Sequence, residues 1–342
     1  MIEHLGKTLH LSSQGMMVRI DGDALRAERE DGPPARIPLR QLDAVHLYGR
    51  IGLTNEVISR CAEEGINLAW FRRGGRFVAR LAGPTSGNVL LRCAQIDARH
   101  DEVLVAGVAR SIVRAKLLNS RVVLLDLAKD DAGNAKRLRA AADSLLCGSN
   151  SLEAVADLDV IRGVEGQAAK TYFGEIGRNA RMPEFRFSLR TRRPALDPMN
   201  ALLSFLYALL RSRCVAGAEA VGLDPQVGFL HALRPGRDSL ALDLMEEMRA
   251  PFADRLALTL VNRRQLTPEH FETRPGGSVS LTDDGRNIVL GAWDAHLSVA
   301  VPHRAIDRDV HRRFVPHVQA AILARHLRGE MDAYIPYRTV AR

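Results

Sequence analysis

The sequence predicts an α+β protein in which a small N-terminal β-rich domain is followed by a larger all-α domain. Two observations carry this prediction. Up to about residue 84 the chain consists of short strand-like runs separated by Gly, Asp and Pro. Beyond it, apolar residues recur at the i, i+3, i+4 and i+7 spacing of helices. A chain of 342 residues with 46% hydrophobic and 26% charged residues is long enough for two domains with buried cores.

The N-terminal part contains seven runs that favour strands and one that favours a short helix. The helix is TNEVISRCAEEG at residues 54–65, and the sequence RGGR at residues 73–76 is typical of a hairpin turn. The strand-like runs are TLHLSS, GMMVRIDG, ALRAERED, ARIPL, AVHLYG, INLAWF and RFVARL.

The sequence PTSGN at residues 84–88 is the best candidate for a domain boundary. We therefore expect a β-rich domain at 1–84, a linker at 85–95 and an all-α domain at 96–342. The helical spacing is clearest in the segment HDEVLVAGVARSIVRAKLLNSRVVLLDLAKD, and it returns in three later segments. The sequence contains no glycine-rich phosphate-binding loop of the GxGxxG or GxxxxGKS type.

Carboxylates crowd one predicted helix near the middle of the C-terminal part. If residues 240–249 form a helix, Asp243, Glu246 and Glu247 stand at i, i+3 and i+4 on one face. Like charges stacked this way repel, and a divalent cation would remove the conflict. With His231 and Glu165 added, the set of one imidazole and several carboxylates suits a hard octahedral ion such as Mg²⁺ or Mn²⁺. Zinc is less attractive because the set contains no cysteine.

Each of these residues also has an ordinary structural explanation. Glu165, which lies between Gly163 and Gly166, could be a surface residue, and His231 could be a core residue bonded to backbone. Asp243 and Glu246 could form a solvated helix face with arginine partners. Only the occurrence of all four together favours a metal site.

The net charge of +8 at pH 7 favours a polyanionic partner. Its distribution is more informative, because residues 178–193 carry six arginines against one acid, with two phenylalanines between them. This run is either a solvated loop or a basic segment that binds phosphates beside the metal. The candidate DNA-binding residues are Arg178, Arg181, Arg186, Arg190, Arg192 and Arg193.

The sequence gives no reason to expect export or a membrane partner. The start lacks a basic region followed by an apolar one, and no apolar run approaches the roughly 20 residues of a membrane span. The four cysteines are far apart and none forms a CxxC pair, so we expect thiols in a reducing compartment. We therefore expect a cytoplasmic protein.

Four motifs, in order, resemble those of the CRISPR-associated protein one (Cas1) family. They are Gly163-Val-Glu-Gly166 with Tyr172 shortly after, NALLSFLY from Asn200, GFLH ending at His231, and LDLMEEMR around Glu246. The resemblance covers essentially the whole chain, because the β-rich start and the helical remainder also fit that family. The ordered set is more specific than any single motif.

The resemblance implies a DNA endonuclease and integrase of CRISPR adaptation, an antiviral defence system. A spacer 3′-hydroxyl would attack a phosphodiester of the CRISPR repeat, with Glu165, His231 and Glu246 as ligands of Mg²⁺ or Mn²⁺. Asp243 would be an alternate ligand or would hold a ligand in place. The resemblance also implies spacer and repeat DNA as partners, a homodimer formed through the β-rich domain, and the small protein Cas2 bridging two dimers.

Three alternatives stay open on the sequence alone. The same site would serve a structure-specific repair nuclease or a transposon-type integrase. A catalytically silent DNA-binding scaffold is the alternative outside enzymes.

Overall fold

The computed structural model describes residues 7–29, 32–72, 77–81, 89–191 and 194–340. The chain forms two compact units. The first comprises Met1–Ser86, His270–Glu272 and Ser280–Asp294, and the second comprises Gly87–Glu269, Thr273–Val279 and Ala295–Arg342. The division at residue 86 lies close to the boundary expected at 84. Residues 270–272 and 280–294 differ from expectation, because they belong to the first unit rather than to the helical part.

The first unit contains two four-stranded sheets and a short helix. The strands follow the seven predicted runs. The run ARIPL contributes its first four residues to a longer strand, Gly32–Pro38, and Gly52–Leu53 form an additional strand. The elements are β1 (Lys7–Leu11), β2 (Met17–Asp21), β3 (Ala24–Arg29), β4 (Gly32–Pro38), β5 (Leu42–Tyr48), β6 (Gly52–Leu53), α1 (Asn55–Glu63), β7 (Asn67–Phe71) and β8 (Phe77–Arg80).

One sheet has the strand order β1-β5-β7-β8 and the other the order β4-β3-β2-β6. In the first sheet β5 is parallel to β1 and β7, and β8 is antiparallel to β7. In the second, β2, β3 and β4 form an antiparallel meander and β6 joins parallel to β2. Apolar side chains of both sheets and of α1 form one core, which includes Leu25, Val45, Leu47, Val57 and Leu68, all fully buried. The predicted turn at 73–76 lies outside the described residues.

The added segment of the first unit carries most of α9 (Asp283–Leu297). Two side-chain contacts tie this helix to β1 and the turn after it. His10 Nε2 lies 3.2 Å from Asp294 Oδ1, and Ser12 Oγ donates to Asn287 Oδ1 at 2.7 Å. A late helix therefore packs with the first strands, a long-range pairing that local sequence patterns cannot reveal.

The second unit is mainly helical. Three of its longest helices begin at aspartates whose carboxylates accept backbone N–H groups of the first turn: Asp101, Asp157 and Asp197. The elements are α2 (Val89–Asp97), α3 (Glu102–Asp130), α4 (Ala135–Ser151), α5 (Leu158–Arg178), α6 (Pro198–Ala220), α7 (Ser239–Glu246), a π-helical segment (Arg249–Asp254), α8 (Arg255–Asn262), β11 (Ala300–His303), β12 (Arg308–His311) and α10 (Val315–Leu327).

Two features of the helical part differ from the prediction. Residues 89–95 of the expected linker belong to α2, where Gln95 is fully buried, and residues 85–88 lie outside the described residues. The part expected to be all-α also contains the antiparallel hairpin β11–β12, and β9 (Phe271–Thr273) pairs with β10 (Val279–Leu281). The predominance of helix is confirmed.

Helix α6 is the core helix of this unit. Among the described helices it alone has the length and apolar composition of a membrane span, and 67% of its most apolar window is buried within the protein. Burial of this kind is what a core helix shows. Residues of α6 pack against α7 and α10.

The cysteines conform to the expectation of unpaired thiols. Cys61 and Cys214 are buried, Cys93 and Cys147 are exposed, and none forms a disulfide.

Gly217 in α6 sets the separation between α6 and α10. A Cβ there would lie 3.0 Å from backbone atoms of both Pro316 and His317.

We expect Gly217→Ala to lower the free energy of unfolding by about 1–3 kcal/mol, because the backbone of α10 would have to move. Gly107→Ala is the control, since an added Cβ there meets no atom within 4 Å and α3 should gain up to about 1 kcal/mol. Denaturant unfolding measures both, and equal changes in the two variants would contradict the packing argument.

Candidate metal centre

A buried carboxylate holds the loop that carries His231. Asp243 in α7 is fully buried and accepts four hydrogen bonds. Its Oδ2 accepts from the backbone N–H groups of Phe229 at 2.5 Å and Leu230 at 2.9 Å. Its Oδ1 lies 2.9 Å from the backbone N of His231 and 2.6 Å from the Nδ1 of the same residue. One side chain therefore orients both the loop and the imidazole ring.

The loop approaches α7 closely at Gly228. A Cβ on this residue would lie 2.6 Å from the carbonyl carbon of Ser239 and 2.7 Å from Asp243 Oδ2. Only glycine leaves room for this approach. The four hydrogen bonds to Asp243 depend on the same closeness.

Two further side chains fix the loop from neighbouring helices. Gln95 of α2 donates through Nε2 to the carbonyls of Asp224 and Val227 at 2.9 and 2.8 Å, and its Oε1 accepts from Asp224 N at 2.8 Å. Arg162 of α5 donates through Nε and Nη2 to the carbonyl of Leu230 at 3.0 and 2.7 Å. The position of His231 is thus determined by contacts from three helices.

Glu165, on α5, and Glu246, the last residue of α7, meet at a lysine ammonium. Lys116 of α3 bonds through Nζ to Glu165 Oε1, and the same Nζ lies 2.7 Å from Glu246 Oε2. His231 Nε2 lies 3.8 Å from Glu246 Oε1, and an Arg249 guanidinium nitrogen lies 2.9 Å from that oxygen. The three predicted ligands therefore lie around one position, with a lysine between the two carboxylates.

Within the described ranges, no three His, Cys, Asp or Glu side chains are already arranged as a closed metal-ligand set. The ammonium of Lys116 separates the carboxylates that would form such a set with His231. The donors nevertheless suit a hard cation. Glu246 Oε2 is buried and accepts no hydrogen bond of normal geometry, only the contact with Lys116. Asp243 binds the Nδ1 of His231, which leaves Nε2 as the nitrogen that can coordinate a metal ion.

Surrounding cations keep Glu246 ionised. Burial raises the pKa of its carboxyl group, but the charges of Arg249 and Lys116 outweigh burial and lower the pKa to about 2. At neutral pH this residue is therefore an anion in a nearly closed environment, with 3% of its surface exposed.

The prediction that three carboxylates share one helix face is wrong for Glu247. Helix α7 ends at Glu246, and Glu247 caps it with backbone angles of the α region (φ −67°, ψ −26°), but its side chain is bound by residues from elsewhere in the chain. The fully buried Glu247 carboxylate accepts hydrogen bonds from Tyr334 Oη at 2.5 Å, Gln319 Nε2 at 2.9 Å and Tyr337 N at 2.7 Å. Burial raises the pKa of Glu247 to about 8. This residue binds the C-terminal segment of the chain.

A second buried carboxylate, Asp254, lies at the end of the π-helical segment. It accepts hydrogen bonds from Tyr172 Oη at 3.0 Å and Tyr207 Oη at 2.6 Å. The guanidinium of Arg249 lies over the Tyr207 ring, 4.9 Å from its centroid. Arg249 therefore connects this polar cluster to Glu246. Tyr172 and Tyr207, the two tyrosines of the sequence motifs, bind Asp254, and Tyr207 also contacts Arg249.

The arginine-rich segment is partly used for structure. Phe185 and Phe187 are buried, and Arg190 donates through its two terminal nitrogens to Asn200 Oδ1 at 2.7 Å and Ser204 Oγ at 3.0 Å. Arg190 is therefore engaged within the protein, and its role as a phosphate ligand stays a prediction. Arg192 and Arg193 lie outside the described residues. The exposed arginines of the described part of this segment are Arg178, Arg181 and Arg186.

Comparison with known proteins gives the family. Residues 9–295 match the family model described as CRISPR associated protein Cas1. The chain is 45% identical over 334 residues to "CRISPR-associated endonuclease Cas1 1" of Moorella thermoacetica, which covers 96% of this chain and 97% of that protein. The chain belongs to the Cas1 family.

Solved structures agree with this assignment. A CAS1 protein from Thermotoga maritima superimposes with a TM-score of 0.79 at 25% identity, covering 94% of this chain and 97% of that one. A chain of a "Cas6-RT-Cas1--Cas2 complex" gives a TM-score of 0.83 at 25% identity, covering all of this chain and 37% of that one. The resemblance inferred from the sequence motifs is confirmed, and the chain is a member of a family of CRISPR-associated endonucleases.

Sequence reasoning missed two charged residues of this Cas1 site, Lys116 and Asp254, whereas the pairing of Arg249 with Glu246 was among the alternatives that the sequence offered. A signal for Lys116 was present in the sequence. Ile112 and Ser120, one turn before and one turn after it, are both buried on α3. A charge in such a stripe needs a buried partner. Asp254 had no comparable signal, because its position depends on the π-helical segment.

Asp254 should give Cas1 a measurable pH dependence of stability. Burial raises the pKa of Asp254 from 3.8 to about 6, although hydrogen bonds from both tyrosines and nearby arginines lower it. A carboxyl group whose pKa is raised by folding stabilises the protein below the unfolded value and loses that contribution as pH rises through the folded value. Two pKa units correspond to about 3 kcal/mol.

We therefore expect the stability of Asp254→Asn relative to wild type to rise by about 3 kcal/mol between about pH 4 and pH 6.5 and to stay flat above. Denaturant unfolding across this range measures the difference. Asp143→Asn, at an exposed position of α4, should show a small and pH-independent difference. A flat profile for Asp254→Asn would contradict the assignment.

Proposed function

We propose that this Cas1 chain is a divalent-cation-dependent DNA endonuclease and integrase that inserts spacers into a CRISPR array, with Mg²⁺ or Mn²⁺ as the cofactor. The observation that carries the proposal is the meeting of Glu165, Glu246 and His231 around one buried position now filled by an ammonium group. A position that binds a lysine cation between two carboxylates is suited to another cation. The curated relative named as an endonuclease supports the reaction class.

The residues present fit such a cofactor. Glu165 and Glu246 supply anionic oxygens, and His231 supplies Nε2 as a nitrogen ligand because Nδ1 is bound to Asp243. A bound Mg²⁺ or Mn²⁺ would polarise a phosphoryl oxygen as a Lewis acid. We assign Asp243 the role of holding His231 in place rather than of an alternate ligand, since its two oxygens already accept four hydrogen bonds.

The proposed reaction is a transesterification at phosphorus. The oxygen of the spacer 3′-hydroxyl forms a new P–O bond with a repeat phosphate, and the P–O bond to the neighbouring 3′-oxygen breaks. The proton of the attacking hydroxyl ends on the departing oxygen, so bonds and charges balance and no oxidant is needed. Within the protein, Arg249 would keep Glu246 in place, and Arg162, which lies one turn before Glu165, would keep the His231 loop in place.

The proposed partners are spacer and repeat DNA, a second copy of the chain bound through the β-rich unit, and Cas2. The net charge of +8 supports DNA as a partner. The similarity to a chain of the "Cas6-RT-Cas1--Cas2 complex" supports Cas2 as a partner. We place this activity in the cytoplasm, where the array lies.

Removal of any one ligand should abolish strand joining. For Glu165→Gln, His231→Ala and Glu246→Gln we expect a loss on the order of 100-fold or more in spacer integration into a supercoiled repeat plasmid, because each change removes a metal donor. DNA binding should change little. Glu153→Gln, which removes an exposed carboxylate just after α4, is the matched control.

Comparison of the repeat plasmid with branched DNA junctions as substrates separates the alternatives. Cleavage of the junctions without integration into the repeat would favour a repair nuclease. DNA binding with full retention of all activity in the three variants would contradict the proposed site.

The exposed arginines of segment 178–191 should contribute to DNA affinity through phosphates. We expect Arg181→Ala combined with Arg186→Ala to reduce the slope of log K against log salt by about 0.9 for each duplex phosphate that the protein no longer neutralises. Binding measured between low and moderate salt gives the slope. The control is Lys136→Ala combined with Arg139→Ala, which removes the same charge from the exposed face of α4. Equal slopes in the two double variants would show that only overall charge matters.

A further inference from the structure

Lys116 is the residue of the site that the proposed chemistry does not use. Its side chain projects from α3 and is 12% exposed, and its Nζ contacts one carboxylate oxygen from α5 and one from α7. Both are oxygens of the residues assigned as metal ligands, Glu165 and Glu246. The lysine thus fills the place between them that a ligand-bound cation would need.

The formal charges of the two glutamates and of the two cations that contact them sum to zero. Glu165 and Glu246 carry two negative charges, and Lys116 and Arg249 carry two positive ones. Without the lysine, two carboxylates would face each other in a site where Glu246 is 3% exposed. Buried like charges disfavour the folded arrangement unless a cation lies between them.

The two cations differ in how they are held. Arg249 is bound on two sides, by Glu246 Oε1 at 2.9 Å and by the ring of Tyr207. The ammonium of Lys116 contacts only the two glutamates within the described part of the chain, and it ends a flexible four-carbon stem. Lys116 can therefore leave the carboxylates without breaking other contacts, whereas Arg249 cannot.

We propose that Lys116 is an exchangeable counter-cation: it holds Glu165 and Glu246 in ligand positions in the metal-free protein and withdraws when a divalent cation binds. This inference rests on the proposed function of the same site. Because Lys116 keeps its charge when it withdraws, binding of the divalent cation adds two positive charges to the site. Metal binding would then also increase the attraction of the site for DNA phosphates.

The test measures metal binding without DNA. Lys116→Met keeps the length of the side chain and removes its charge, so Mn²⁺ no longer competes with an ammonium. We expect the dissociation constant for Mn²⁺, measured by electron paramagnetic resonance of free Mn²⁺, to fall on the order of tenfold. In the presence of EDTA the variant should unfold at a lower temperature than wild type, because Glu165 and Glu246 then repel each other. Adding Glu165→Gln to the variant removes this repulsion and should raise its unfolding temperature back to that of wild type.

Lys170→Met is the matched control, because it removes an exposed lysine charge from α5. If Lys116→Met binds Mn²⁺ no more tightly than Lys170→Met does, the counter-cation role is overturned while the metal site stands. If wild type shows no Mn²⁺ binding that Glu246→Gln removes, the proposed function fails, and this inference fails with it.

A second measurement does not depend on the variant folding. Crystals of the wild-type protein with and without Mn²⁺ should show Nζ of Lys116 within ion-pair distance of both carboxylates only in the metal-free form. Mn²⁺ bound between Glu165 and Glu246 with Nζ still on both oxygens would overturn the proposal.

Discussion

The site depends on the carboxylate of Asp243. A fully buried aspartate is costly unless its oxygens are satisfied, and here four N–H groups of a single three-residue stretch satisfy them. The hydrogen bonds that offset the cost of burial also fix the position of residues 229–231. His231 presents Nε2 rather than Nδ1 because Asp243 takes the other nitrogen, and the close approach at Gly228 makes this geometry possible.

The remaining acids of this region are separated by their environments rather than by their spacing along the chain. Glu246 lies among cations, which lower its pKa to about 2, whereas the adjacent Glu247 lies among tyrosines and an amide, where burial raises its pKa to about 8. Two consecutive glutamates therefore have different charges over much of the pH range. One can bind a cation, and the other serves as a hydrogen-bonding group of the core.

The fold class, the strands of the first unit, the long helices and the family followed from periodicity, turn residues and motif order. Each of these signals lies within a short stretch of sequence, so it can be recognised without knowledge of the folded structure. The helical residues at 89–95, the placement of α9 and the turn of Glu247 away from Glu246 depend on long-range packing or on where a helix ends, and short patterns do not encode them. Glu165, His231 and Glu246 were predicted to converge, yet Lys116 was not expected between them.

The binding of Glu247 has a consequence for the end of the chain. Tyr334 and Tyr337 bond to its carboxylate, and Thr339 N donates to Asn119 Oδ1 on α3. Residues 334–339 therefore bind Glu247, the residue next to Glu246, and α3. Removal of residues 334–339 would leave Gln319 as the one remaining described hydrogen-bond donor to the fully buried Glu247 carboxylate, so this stretch offsets the cost of burying it.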